Sequence, residues 1–175
     1  MQGYAKRDTD AQNLSAALTL FFIVLQIRDE GADEVASSVG IGWGLVTAIR
    51  GALYRANNGE MAIPAELLTR KVSTDYLMAR LNPEYQPNAE NEAALKEAVQ
   101  YMAYQASNYL NRARSSQEKV PRGGKACLLP AVPASLYLSS LQEVDFNLFD
   151  EKLHSDQSRL LLLLTLGRSW WAGKF

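Results

Sequence analysis

The stretch from Val35 to Leu68 constrains the fold most. Apolar residues recur at Val35, Val39, Trp43, Val46, Ile49 and Leu53, at the three- and four-residue spacing of one helix face. The pattern predicts a long helix ending at about Ala56. Gly40, Gly42, Gly44 and Gly51 interrupt it. Each glycine costs roughly 1 kcal/mol against alanine inside a helix, so four of them imply that something approaches the backbone closely. Asn57-Asn58-Gly59 supplies residues that tolerate a left-handed helix end. Ile63-Pro64 is then an extended step, and Ala65–Thr69 starts a short new helix.

A length of 175 residues, 47% hydrophobic and 21% charged, suits one globular domain with a real core. The net charge of −1 gives no electrostatic case for nucleic acid or for an anionic membrane. Cys127 and His154 are the single cysteine and histidine, which excludes an internal disulfide and the usual cysteine- or histidine-built metal sites. No segment reaches the roughly 20 apolar residues of a membrane-spanning helix. Leu14–Ile27 is apolar and near the start. Asp8 and Asp10 stand where the basic leader of a signal peptide belongs, which argues against one. With no visible presequence, targeting is expected to be internal, or the start is that of a mature chain.

Taken in order, Leu14–Arg28 is predicted as a helix apolar all round, hence buried in a core or against a partner. Arg28–Gly31 reads as a turn. After Pro64, Ser73 or Thr74 caps a helix through Tyr76, Leu77 and Arg80. Residues 82–91 read as a loop. Glu92–Arg114 is the clearest amphipathic helix, with Leu95, Val99, Met102, Ala106, Tyr109 and Ala113 as its stripe. Ser115–Lys125 is polar and basic, a plain loop or a contact for phosphate or an acidic partner. A helix over Val132–Glu143 precedes an irregular Val144–Phe149 whose two phenylalanines pack inward. Asp156–Trp171 is the last helix. The absence of any sustained period of two makes the chain all-α, with six to seven helices and no second domain.

The Val35–Leu68 stretch resembles the second signature of the squalene/phytoene synthase family, all-α prenyl-joining enzymes. In that family a helix carries an Arg-Asp-x-x-x-Asp run, followed by a basic-Gly stretch and an apolar-Pro step. Counted back from Ile63-Pro64, Gly59 falls on the family glycine and Arg50 on its arginine. The two metal-binding aspartates fall on Gly51 and Arg55. The resemblance covers about Gln12 to Trp171 and corresponds to the C-terminal half to two-thirds of a member. The helices that carry the family's first aspartate-rich motif have no counterpart. The best-fitting branch is the mitochondrial phytoene/squalene synthase-like assembly factors of respiratory complex I. Ala36-Ser37-Ser38 through Gly44, Val46–Arg50, Gln105-Ala106, Ala113–Ser115, Val144–Phe149 and Arg168-Ser169-Trp170 carry that likeness.

Ionising an allylic diphosphate requires Mg²⁺ on the leaving group, held by one or two carboxylates with phosphates and water. Gly51 offers no ligand, and Arg55 puts a positive charge where the cation belongs. Asp29, Asp33 and Glu34 lie before the helix or at its far end. The resemblance therefore implies a pseudoenzyme with no catalytic, cofactor-binding or metal residues. It implies an accessory subunit or assembly factor of mitochondrial complex I, peripheral on the inner membrane. Its partners would be complex I subunits or assembly intermediates. Two other readings stay open: half of a split isoprenoid synthase completed by another chain, and a lipid or quinone carrier using the old substrate tunnel. Arg50 and Arg55 could hold an anionic head group or could form salt bridges. The glycines could make room for an isoprenoid chain or for close helix packing. Leu14–Ile27 and Trp170-Trp171 are the candidate partner surfaces.

Overall fold

A computed structural model describes residues 30–64, 67–68, 72–82, 84–154 and 168. The expected helix Leu14–Arg28, the expected helix Asp156–Trp171 apart from Arg168, and Trp170-Trp171 lie outside the described residues. So does most of Ala65–Thr69, of which Leu67 and Leu68 form a turn and a bend. The described residues are all-helical, as the periodicity predicts, with no strand among them.

Helix α1 spans Glu30–Arg50. Glu30 and Asp33 in its first turn complement the positive end of the helix dipole; Arg28 and Asp29 of the expected turn lie outside the described residues. Gly51 departs from helical geometry only slightly. Its N–H donates to Thr47 O and its carbonyl accepts from Arg55 N–H, both at 2.9 Å, and α2 follows over Ala52–Asn57. The end is a paired closure: Gly59 N–H donates to Ala56 O and Glu60 N–H to Arg55 O, with Gly59 at φ +73°. That left-handed residue is why the Asn-Asn-Gly run was legible as a stop.

Helix α3 spans Thr74–Ala79 and is capped by Ser73, whose Oγ accepts from Tyr76 N–H at 3.2 Å. Helix α4 spans Ala89–Ser115. It begins at Ala89 rather than Glu92 because Asn88 caps it, accepting from Glu90 N–H at 2.9 Å. Its buried face holds the expected Leu95, Val99, Met102, Ala106 and Ala113, is widened by Asn91, Ala94, Ala98 and Ala103, and has Leu110 buried where Tyr109 was expected, Tyr109 being half-buried. Ser115–Lys125 forms two tight 3₁₀ turns, Gln117–Lys119 and Arg122–Leu128, that fold Val120 into the core. Helix α5 spans Ala131–Glu143, and a 3₁₀ turn follows at Glu151–His154.

Helix α1 packs mainly along α4 and secondarily against α5. One apolar cluster gathers Ile49, Ile63, Leu77, Val99 and Leu141. A second gathers Val35, Val39, Leu110, Val120 and Leu128. Leu45, Tyr137 and Leu138 pack against both clusters and join them. A Cβ on Gly42 would lie 2.9 Å from Leu110 Cγ and Cδ2 and 3.2 Å from Ala106 O. This glycine sets how closely α1 and α4 approach.

The Val144–Phe149 segment is irregular, as expected, but its fully buried residues are Val144 and Leu148. Phe146 and Phe149 are half-buried against the core. Asp145 and Phe146 both adopt positive φ, 53° and 61°. Their N–H groups donate to Gln142 O and Leu141 O, closing α5 as Gly59 and Glu60 close α2. Here no glycine is present to adopt the left-handed conformation cheaply.

Candidate functional site on the glycine-bearing helix

The positions where the family carboxylates would fall are four residues apart and share a face. A Cβ on Gly51 would lie 3.8 Å from Arg55 Nε, so the Arg55 side chain folds back beside the glycine. Arg50 and Arg55 are not equivalent: Arg50 is exposed and Arg55 half-buried. Arg50 acts electrostatically on Tyr137 of α5. Burial pushes that phenol up to about 12, and the Arg50 charge opposes the rise. Tyr54, between the two arginines, is exposed.

Mg²⁺ requires oxygen ligands. Gly51 has no side chain and Arg55 presents only donors, so these two positions do not fit the ion. Asp33 and Glu34 stand in the first turns of α1. At 1.5 Å per residue, Glu34 lies roughly 25 Å along the axis from Gly51. Glu34 is moreover held by Arg112 and by Lys119, the latter at 3.3 Å. The hydrogen bonds from these two cations keep its carboxyl below the usual glutamate range. Among the described residues no group of three or more His, Cys, Asp and Glu could hold a metal. The side chains of Cys127 and His154 fall outside the description.

Two arrangements were not legible in the sequence. In the first, Glu92 Oε1 accepts from Tyr76 Oη at 2.6 Å and from Arg80 Nε at 2.9 Å. The Arg80 guanidinium lies 4.8 Å from the Phe149 ring centre, and Tyr85 meets Tyr76 edge-to-face. Burial, then the bond to Glu92, pushes the Tyr76 phenol well up. This group ties α3, the start of α4 and the Val144–Phe149 segment together. The only sequence signal was the i, i+4 spacing of Tyr76 and Arg80.

The second is an open groove of about 340 Å³ between α4 and α5. Gln100, Tyr104 and Ser107 form one wall, and Ser135, Ser139 and Gln142 the other. Arg114 closes one end, bonded to Ser135 Oγ and to Asn111 Oδ1. Phe146 stands at the other end and also borders a neighbouring cleft spanned by the Lys96–Asp145 ion pair.

The sequence matches squalene/phytoene synthase over residues 13–161. The chain belongs to that family. Among curated proteins, this squalene/phytoene synthase family member is 29% identical over 165 residues to "NADH dehydrogenase (ubiquinone) complex I, assembly factor 6" of Rattus norvegicus. The match covers 93% of this chain and 46% of the relative. The Mus musculus protein of the same name is 28% identical, covering 94% and 47%. That of Bos taurus is 28% identical, covering 89% and 44%. The chain thus spans less than half the length of these relatives. No solved structure matches it.

Proposed function

We propose that this chain is a non-catalytic assembly or accessory protein of respiratory complex I, built on a prenyl-synthase fold. The observation that carries the reading is the set of relatives named as complex I assembly factors. The Gly51–Arg55 geometry supports it, since a family member that ionised diphosphates would need carboxylates there. In this reading the protein is mitochondrial and peripheral to the inner membrane, and residues 1–175 form one helical domain. No described helix is long and apolar enough to cross a membrane. Its partners are complex I subunits or their assembly intermediates.

The test is native-gel separation of mitochondrial membranes with mass spectrometry of each slice. Co-migration with mature complex I at matched stoichiometry is expected of a resident subunit. Migration only with smaller intermediates is expected of an assembly factor. Absence from both overturns the proposal.

A second reading, half of a split isoprenoid synthase completed by another chain, rests on the family membership. It requires Mg²⁺-dependent diphosphate release from farnesyl or geranylgeranyl diphosphate by a reconstituted pair. A lipid-carrier role has less support, because Leu110 occupies the space beside Gly42 that an isoprenoid chain would need.

A further inference from the structure

Helix α4 presents an outward stripe at Glu97, Tyr101, Tyr104, Asn108, Asn111 and Ser115, all exposed. The spacing alternates four and three residues, which keeps the side chains in one line on one face, as in the seam of paired helices. No charged residue stands between Glu97 and Arg112, although the solvent face of a surface helix is ordinarily charged. Two tyrosines occupy that uncharged stretch instead, Tyr101 at 50% and Tyr104 at 63% exposure. Depletion of charge together with tyrosine marks the centre of a protein interface.

The ends of the stripe carry opposite charges. The Glu97 carboxylate has no ion pair among the described residues, and its neighbour Lys96 turns aside to Asp145. Arg112 is engaged by Glu34 yet stays 63% exposed, with guanidinium donors to spare. Glu97 and Arg112 lie about 22 Å apart along the helix axis, and Tyr104 is near the midpoint. Seven residues further out on either side stand Glu90 and, just beyond the helix, Lys119, both exposed. An acidic–neutral–basic stripe is complementary to its own reverse. Laid antiparallel on a second copy with Tyr104 at the dyad, each Glu97 faces an Arg112 and each Tyr101 an Asn108. Parallel pairing would set like charges against each other.

We propose that the outward face of α4 docks a second copy of this chain, forming a two-fold dimer of antiparallel α4 helices with Glu97 of each copy paired to Arg112 of the other. Such an isologous contact needs only one self-complementary patch. A single helix pair is a small interface, so the dimer is weak and reversible. The proposal goes beyond the complex I reading and stands or falls without it.

Sedimentation equilibrium of the purified full chain tests it. Wild type is expected to pass from monomer to dimer as concentration rises, and to dissociate as salt rises. Glu97→Arg and Arg112→Glu should each weaken self-association at least tenfold, because each variant alone sets like charges across the dyad. Mixed one to one, the two should recover dimerisation as a heterodimer, since the mixture restores both opposite-charge pairs. Arg112→Glu also loses the bond to Glu34, so Tyr104→Arg provides a variant that removes no such bond. It should weaken the dimer at least tenfold by bringing two cations together at the dyad. A wild type that stays monomeric into the high micromolar range overturns the proposal and leaves the face to a different protein. A dimer that Tyr104→Arg leaves unchanged overturns it as well. So does a failure to form the heterodimer from two charge variants that are both folded by circular dichroism.

Discussion

Arg55 Nε lies 3.8 Å from the point that a Cβ on Gly51 would occupy. A side chain introduced at position 51 would therefore meet a guanidinium, and a cation held there would meet a like charge. Positions 51 and 55 are thus coupled on one helix face.

Restoring both acids should restore the metal response. Gly51→Asp combined with Arg55→Asp places two carboxylates at i and i+4, which repel by a few tenths of a kcal/mol, about 0.2–0.5. The double variant is expected to melt lower than wild type in chelator and to recover on adding Mg²⁺. Wild type is expected to show no Mg²⁺ response in the same thermal scan. An equal response in wild type would locate the metal ligands elsewhere.

Gly42→Ala is expected to destabilise the fold by about 1–3 kcal/mol, the usual cost of overpacking. The added methyl meets Leu110 at 2.9 Å and the fixed Ala106 carbonyl at 3.2 Å. In a Leu110→Ala background the penalty should shrink, because the truncated side chain vacates most of the contested space. Urea denaturation of the four proteins in that cycle measures the coupling.

Glu92→Ala removes the acceptor shared by Tyr76 and Arg80. Leaving both donors partly buried and unpaired should cost about 1–3 kcal/mol. Tyr76→Phe deletes one donor cleanly and should cost only about 0.5–1.5 kcal/mol. Made together, the two changes should be less than additive by urea denaturation, since they report on one oxygen.

The pH dependence has two limbs of opposite sign. Tyr137 is raised from 10.0 to about 12 by burial, so the folded state holds its proton more tightly. Its contribution is complete below about pH 10 and declines as pH rises toward 12; Tyr137→Phe should lessen the alkaline limb, and the raised Tyr76 phenol should sustain the rest. Glu34 is lowered by its bonds to Arg112 and Lys119. Its contribution is present above the ordinary glutamate value and is lost as pH falls through the depressed one. Glu34→Gln should flatten that acid limb, and added salt should shrink the difference because the pair is exposed. Thermal melts across pH in low and high salt check both limbs.

The sequence by itself determined the helical class and the stop after Ala56, but it read as one helix what the structure divides at Gly51 into α1 and α2. The three- and four-residue period, the Asn-Asn-Gly stop and the Ser73 cap are local signals, each confined to one turn or one face of the chain. It also shows directly that a glycine and an arginine stand at positions 51 and 55. Tertiary structure decided the rest. Only the approach of α1 to α4 selected Leu110 over Tyr109 for burial and gave Gly42 its purpose. Only the folding of Val144–Phe149 against α4 brought Arg80, Glu92 and Phe149 together. The groove lies between α4 and α5, which both pack on α1. Interhelical angles depend on the fit of facing surfaces, and that fit joins residues far apart in the chain, where no local period records it.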